Sequence, residues 1–316
     1  MTDFFTYLVQ GVSQGAIYAL VALGFVIIFR GTKVLNFAQG AFMLTGAYLE
    51  YNFTVTWGLN YWVALVLAAL TMAFVGFALE ALVLSRLRSR PTFTIIMATL
   101  GLSIAAEQIG ISIWGTDPLS LNDPMGLSFK KIGGVTVTLI DVVTLVITAI
   151  IVGALLTFFA KSRMGTAMRA TALDQEAAIA QGVNPKLVFG LSWAIAAAIA
   201  TVGGVLLSSG NGRNVAPTLI AYSFTAVPAA ILGGLDSTKG ALFGGLIIGV
   251  AQQLMFGYQG RFNEWLHKTI DITIGSFHYQ AGLGPNFHLV FPYLIMIVIL
   301  LIRPYGLFGS REVRRV

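Results

Sequence analysis

The stretch "GAIYALVALGFVIIFRGTKVLNFAQGAFMLTGAY", residues 15–48, decides the fold class. An apolar run leads to two basic residues, Arg30 and Lys33, and a second apolar run follows the polar residues Asn36 and Gln39. A run of about 20 apolar residues is long enough to cross a bilayer as a helix. Because basic residues concentrate in cytoplasmic connections, the stretch predicts two membrane helices joined on the cytoplasmic side.

The composition extends this prediction to the whole chain. Of its 316 residues, 57% are hydrophobic and 10% are charged, whereas soluble domains contain about 25% charged residues. The apolar spans lie approximately at residues 6–29, 35–56, 61–84, 93–114, 137–160, 187–208, 222–236, 240–257 and 288–302. The seventh is short for a bilayer and predicts an interrupted or re-entrant helix. We expect an all-α polytopic membrane protein, a single domain over 1–316, with about eight or nine transmembrane helices.

The basic residues predict the orientation of these spans. With Arg30 and Lys33 in the cytoplasm, fourteen of the 19 Lys and Arg residues lie inside. The five outside are Lys130, Lys131, Arg213, Arg261 and Lys268. This bias places the N-terminus outside and the C-terminus in the cytoplasm. The main inner loop is then 161–186, and 258–287 is the larger outer segment.

Several functional classes find no support in the sequence. There is no cysteine, and three histidines are too sparse to predict a metal site. No Ser–His–Asp or paired-carboxylate pattern predicts catalytic residues, so a membrane-embedded enzyme is the weakest alternative. The high pI, about 9.6, reflects membrane orientation rather than nucleic-acid binding. No G-x-x-x-x-G-K-[ST] motif is present, so this chain is not expected to bind ATP or another cofactor.

The inner loop contains "DQEAAIAQGVNPK", residues 174–186. Good helix formers over 166–183 predict a short cytoplasmic helix, which Gly182 is suited to end. Pro185 prevents its continuation, and the next span starts near Leu187. The small residues Ala177, Ala178 and Ala180 either form a docking face for another protein or pack on their own chain.

Four segments resemble a known transporter family. Glu176-Ala177-Ala178, followed by Gly182, resembles the EAA coupling loop of ABC importer permeases, although the continuation "VNPKLVFGLSW" departs from the fullest form of that motif. Gly15–Tyr48, Pro228–Gly249 and Ile302–Gly309 resemble the LivH-type subunit of branched-chain amino acid permeases.

The resemblance implies an importer in a prokaryotic inner membrane. This subunit would pair with a related second permease subunit, with two ATPase subunits that bind ATP-Mg, and with a soluble substrate-binding protein. It implies ATPase coupling through Glu176, Ala177, Ala178 and Gly182. The wider family also carries urea and short amides, so that cargo stays open. An ATP-independent channel or secondary transporter would not need the EAA loop.

Four polar residues are candidates for the substrate path. Asn36 and Gln39 lead into the second span, where Asn36 either caps the helix or helps its free N–H groups to bind a carboxylate. Glu107 and Gln108 lie within the fourth span, where ionisable groups are costly and face a cavity or a partner. Glu107 is expected to bind a substrate ammonium group or to make an interhelical contact.

Other carboxylates and glycines have structural interpretations. Glu80 is expected to pair with Arg86 or Arg88, and Glu50 and Asp141 to lie at the outer interface. Glycines at four-residue spacing let membrane helices approach closely. These predict packing at the pairs Gly11 and Gly15, Gly240 and Gly244, and Gly245 and Gly249.

Overall fold

The computed structural model describes residues 2–88, 90–126, 128–210, 213–269, 271–274, 277–280, 282–284 and 286–309. Arg311, Arg314 and Arg315, which were among the predicted inner basic residues, lie outside these ranges, as do parts of segment 258–287. All statements on structure below concern the described residues.

Eleven helices and two hairpins form the described chain. The helices are α1 (Thr2–Thr32), α2 (Gln39–Tyr51), α3 (Tyr61–Leu82), α4 (Thr92–Trp114), α5 (Leu139–Lys161), α6 (Arg163–Leu173), α7 (Gln175–Ala180), α8 (Pro185–Ser208), α9 (Leu219–Gly233), α10 (Thr238–Thr269) and α11 (Phe287–Ile302). The strands are β1 (Phe129–Ile132), β2 (Val135–Thr138), β3 (Asp271–Ile274) and β4 (Phe277–Gln280). A short π-helical segment, Asn52–Thr56, extends α2, and a 3-10 turn, Leu84–Arg86, follows α3.

The multi-pass membrane architecture is confirmed. Six helices are long and apolar enough to cross a membrane, namely α1, α3, α4, α5, α8 and α10. Helices α9 and α11 are shorter and apolar. With 15 residues, α9 is roughly 22 Å long at 1.5 Å per residue, less than a hydrocarbon core of about 30 Å. The chain reaches it through the non-helical residues 213–218, in agreement with the predicted short seventh element.

The described chain is mostly helical, as predicted, but two connections between helices contain short β-hairpins that were not predicted. Strands β1 and β2 pair in antiparallel register, from Phe129 opposite Thr138 to Ile132 opposite Val135. The turn between them is Gly133-Gly134, with φ of 59° and 85°. Two consecutive residues with positive φ suit a tight hairpin turn, because glycine adopts this conformation without steric cost. Strands β3 and β4 form a second antiparallel pair within segment 258–287.

The core of the bundle is built around α1 and α8. In their apolar stretches, 83% and 78% of the residues are buried, against 17% in α4 and 11% in α5. Helix α2 is also enclosed, and it contacts α3, α4, α8 and α9. Consequently Glu50, predicted at the outer interface, is fully buried.

Glycines make the closest helix contacts, as their spacing predicts. The pair Gly11 and Gly15 of α1 faces Gly245 and Gly249 of α10, and a side chain at any of these positions would meet backbone atoms of the other helix. We call this contact the α1–α10 seam. Gly240 and Gly244 approach the backbone of α9 in the same way. The seam holds α1 and α10 antiparallel and close together.

The predicted inner and outer connections lie at opposite ends of the bundle. At one end Arg30, Arg169 and Thr238 line the same small cavity, and the Leu307 amide donates to the Leu232 carbonyl at 2.7 Å. At the other end the Thr136 amide donates to the Thr6 hydroxyl at 3.2 Å, and Asp3 pairs with Arg261 at 3.7 Å. We call these the coupling end and the N-terminal end.

Candidate coupling segment and substrate path

The segment at 161–186 forms two helices rather than the single helix predicted over 166–183. Asp174 interrupts the helix, because its carboxylate accepts a hydrogen bond from the Ala177 amide at 3.0 Å and so caps α7. Aspartate is among the preferred N-cap residues, and this preference outweighs the helix-forming residues on both sides. Ser162 caps α6 in the same way, accepting from the Gly165 amide at 2.8 Å.

The predicted end of the short helix is confirmed. Gly182 has φ of 81°, which suits a residue just beyond a helix. The Val183 amide donates to the Ala178 carbonyl at 3.0 Å. Asn184 then caps α8 by accepting from the Lys186 amide at 3.0 Å, with Pro185 in the first turn. A connection of four residues, 181–184, therefore links α7 to the buried helix α8.

The predicted coupling residues divide between surface and interior. Glu176, Ala177 and Gly182 are exposed, whereas Ala178 is only 4% exposed and packs on its own chain. Two large apolar side chains beside them are exposed to solvent: Leu173 is 89% exposed and Ile179 is 49% exposed. The segment thus combines a fixed backbone with an uncovered surface that is partly apolar.

A cavity of about 110 Å³ lies beside this segment. Gln175, next to Glu176, lines it together with Asn36. The cavity also contains the predicted ion pair of Glu80, which is 2% exposed, with Arg88. The Arg88 guanidinium lies 4.3 Å from the centre of the Phe189 ring of α8. Through Gln175 the coupling segment therefore borders the same cavity as Asn36, just before α2, and the end of α3.

Asn36 lies just before α2 and Gln39 is its first residue, and both side chains are buried. The Ala38 amide donates to Asn36 Oδ1 at 3.0 Å, and the Phe37 amide donates to the Thr99 hydroxyl at 3.3 Å. Gln39 Nε2 donates to the Ala196 carbonyl of α8 at 3.3 Å. Neither Asn36 Nδ2 nor Gln39 Oε1 has a hydrogen-bond partner in the described chain. The N-cap residue of α2 is Ala38, so Asn36 does not cap the helix itself; its side chain stabilises the turn just before the helix.

Glu107 and Gln108 are not part of the same site. They lie on α4 beyond Thr99, towards the N-terminal end of the bundle. Glu107 is half-buried near Tyr48 of α2, and Gln108 is exposed on the outer surface of α4. The four predicted path residues therefore fall into two groups at different depths along α2.

A larger polar cavity, missed by the sequence reasoning, lies between α1, α9, α10 and α11. Its volume is about 360 Å³, and Gln14, Arg213, Tyr222, Gln252 and Gln253 contribute polar groups. Gln252-Gln253 within an apolar span is the same kind of signal that indicated Glu107-Gln108, and it could have pointed to this region. The other members come from distant parts of the chain.

The position of Arg213 is fixed by the neighbouring backbone. Val215 and Leu119 form an isolated β-bridge, with amide-to-carbonyl distances of 2.8 and 2.9 Å. Asn214 accepts a hydrogen bond from Ser120 at 2.7 Å. These contacts hold residues 213–218 against the loop that follows α4, so that the segment leads from the N-terminal end to the start of α9.

The sequence profile of the family described as "Branched-chain amino acid transport system / permease component" matches residues 7–300. The chain belongs to this permease family. The match spans every membrane helix described above, in agreement with the resemblance found in the sequence.

The names of individual relatives of this permease mention different transported substrates. The high-affinity branched-chain amino acid permease protein LivH of Escherichia coli K12 is 28% identical over 334 aligned residues that cover both chains completely. The corresponding protein BraD of Pseudomonas aeruginosa is 27% identical over 332 residues, also with complete coverage. The fructose import permease FruF of Bifidobacterium longum is 26% identical, covering 78% of this chain and 69% of its own.

Proposed function

We propose that this chain is the transmembrane permease subunit of an ATP-driven ABC importer for branched-chain amino acids. It provides the substrate path in a prokaryotic inner membrane, with its N-terminus outside and its coupling end in the cytoplasm. It acts with a related second permease subunit, two ATPase subunits that bind ATP-Mg and a soluble substrate-binding protein. It carries out no covalent chemistry itself.

The observation that carries the proposal is the exposed surface of α6 and α7. In a water-facing segment, exposed large apolar residues are a sign of a protein contact. Leu173 and Ile179 are such residues, and they flank the exposed Glu176 and Ala177. An ATPase subunit that covers this surface would bury them and would place its own polar groups near Glu176.

Motion of this surface has a direct route to the membrane helices. The turn at Gly182 connects α7 to α8 without a flexible linker, and α8 is one of the two most buried helices. Gln175 also adjoins the cavity that contains Asn36 and the Glu80–Arg88 ion pair. ATP-driven movement of the ATPase pair would therefore displace α8 and the start of α2 together.

Branched-chain amino acids are the preferred cargo because two full-length relatives carry that description. Urea or a short amide remains the alternative cargo for the same machine. An ATP-independent channel or secondary transporter is the alternative mechanism, and it would not require the coupling segment.

The test is uptake of labelled leucine by proteoliposomes that contain the complete transporter, with ATP supplied to the ATPase side. The variants Glu176→Lys and Gly182→Pro should abolish ATP-dependent uptake while the complex still forms. Proline cannot adopt the positive φ of Gly182, so the second variant displaces α7 from α8.

Two matched controls separate coupling from general damage. Glu264→Lys makes the same charge change at an exposed residue near the N-terminal end. Gly58→Pro imposes the same strain, because Gly58 has φ of 67° and open space around it. Both controls should retain uptake. If leucine uptake does not depend on ATP and is unchanged in both coupling variants, the ABC mechanism is wrong. If urea is taken up and leucine is not, the proposed cargo is wrong and urea takes its place.

A further inference from the structure

The polar cavity between α1, α9, α10 and α11 has the size of a small-molecule site. Its volume of about 360 Å³ lies within the range of about 300–1,000 Å³ typical of ligand pockets. It lies in the half of the bundle away from the coupling segment, because Gln14 precedes Arg30 by four to five turns of α1 and Gln252 follows Thr238 by nearly four turns of α10. An outward-facing position suits solute arriving from outside the cell.

One buried polar group that lines this cavity, and a second beside it, lack well-formed hydrogen bonds within the described chain. Gln252 is 4% exposed and lines the cavity, and its Oε1 atom makes no hydrogen bond of good geometry. The Tyr18 hydroxyl, also buried, lies near Gln14, Gln252 and Thr225 without a well-formed hydrogen bond. Because unsatisfied buried polar groups are rare and costly, such atoms are expected to bind water or a ligand.

The described residues that line the cavity include a positively charged side chain and no negatively charged one. Arg213 is half-buried, and no Asp or Glu is among the described residues that line the cavity with it. The ion pairs found in the described chain involve Arg88 and Arg261 rather than Arg213. An arginine in a polar cavity whose described lining contains no carboxylate is suited to bind one from a ligand, since guanidinium binds carboxylate with two parallel hydrogen bonds.

The remaining lining completes a site for an apolar amino acid. Leu207, Leu219 and Phe256 supply an apolar wall. The amide oxygens of Gln14 and Gln252 can accept hydrogen bonds from an ammonium group. Gln253 is held by its own hydrogen bond, in which Nε2 donates to Gln10 Oε1 at 3.0 Å.

We propose that this cavity is the outward binding site of the permease, and that Arg213 binds the carboxylate of a zwitterionic amino acid there. The proposal rests on the proposed import function and selects, within it, a carboxylate-bearing solute over urea or a neutral amide. A neutral amide would leave the Arg213 charge without a counter-ion in the cavity.

The test uses the absence of cysteine from this chain. Thr218 lines the cavity and its side chain is exposed, so Thr218→Cys introduces one thiol at the site. In the purified complete transporter, an impermeant thiol reagent should label it, with the modified peptide identified by mass spectrometry. Millimolar leucine should slow this labelling, whereas leucinamide and urea should not. Glu264→Cys, an exposed position outside the cavity, should be labelled at a rate that leucine leaves unchanged.

A second variant connects the protection to Arg213. In the Thr218→Cys background, Arg213→Gln should weaken leucine protection about tenfold or more, as expected for the loss of a charge-assisted hydrogen bond. Arg213→Lys should restore part of it. Arg261→Gln, at an exposed arginine, is the matched control and should leave protection unchanged.

The outcomes distinguish this proposal from the import function. If the transporter imports leucine with ATP but leucine does not protect Thr218→Cys, the cavity assignment is wrong and the import function stands. Equal protection by leucine and leucinamide, or full protection in Arg213→Gln, overturns the role of Arg213. If leucine is neither imported nor protective while urea is both, the cargo and the carboxylate site are wrong together.

Discussion

Helices α1 and α5 are both long and strongly apolar, yet they occupy opposite environments. Helix α5 is the more apolar of the two, but only 11% of its apolar stretch is buried, against 83% for α1. In lipid, an apolar side chain gains little by moving from hydrocarbon to protein, so hydrophobicity does not decide which helix is central. Close packing decides it, and α1 has the glycines that permit close packing.

Two glycines make the difference concrete. Gly249 of α10 lies against the backbone of Gly15 and Gly11 of α1, whereas Gly153 of α5 has no atom within 4 Å of where a side chain would begin. The same residue type is thus essential at the α1–α10 seam and unconstrained on the face of α5. The following variants test this comparison.

The largest effect is expected from Gly249→Leu. The added side chain would meet backbone rather than a movable side chain, so α1 and α10 must separate. Overpacking costs about 1–3 kcal/mol and occasionally more, and we expect the upper end of this range. Thermal unfolding of the purified protein in detergent, followed by size-exclusion chromatography, measures it. A melting temperature equal to that of the unaltered chain would show that the seam is not closely packed.

Asp141→Ala tests whether the cap at the start of α5 stabilises this helix, whose apolar stretch is largely exposed. Asp141 is 2% exposed, and its carboxylate forms a capping box with Thr138 at the start of α5. Loss of a helix cap costs about 0.5–2 kcal/mol, and we expect about 1 kcal/mol for this capping box. The same unfolding assay should show this loss, and Asp141→Asn, which keeps an acceptor, should recover part of it. An equal loss in both variants would point to the charge rather than the cap.

Gln253→Leu tests the polar contact of the seam. It removes the hydrogen bond with Gln10 across α1 and α10, and such contacts between membrane helices contribute about 0.6 kcal/mol on average. The double variant Gln10→Leu with Gln253→Leu should be no less stable than the single one, because no unpaired amide remains. Strictly additive losses would mean that the two amides act independently.

The smallest effect is expected from Gly153→Leu, the counterpart of Gly249→Leu. With open space around Gly153, the change in unfolding free energy should stay within about 0.5 kcal/mol. Leucine uptake by the complete transporter should also be unchanged. A clear loss of assembly with the partner subunits, without a loss of monomer stability, would instead place this face of α5 in a subunit contact.

The sequence predicted the features whose causes are local. The end of the short helix at Gly182, the start of α8 close to the predicted Leu187 and the short seventh element follow from a few adjacent residues. The break at Asp174 was also local, but the run of helix-forming residues around it concealed the cap. The hairpin at Gly133-Gly134 was missed for a similar reason, since its strands are short and lie within a connection between spans.

The candidate site was only partly predictable. Glu176, Ala177 and Gly182 were identified from a short motif, but that Ala178 faces inward and Leu173 outward required the fold. Gln14, Tyr222 and Gln252 come from three helices far apart in the sequence. They meet only because the α1–α10 seam and the bridge between Leu119 and Val215 bring those elements together.

By itself, then, the sequence determined that this chain is a multi-pass membrane protein, because hydropathy is a property of contiguous residues, and its resemblance to a known family indicated a permease. It also determined which glycines could pack closely, though not against what. Only the tertiary structure decided which helices are central, which polar residues share a cavity and which small residues are exposed. In lipid these properties depend on how closely backbones from distant parts of the sequence fit together. The hydrophobic contribution does not distinguish them, because it is nearly the same for every packing arrangement of the helices.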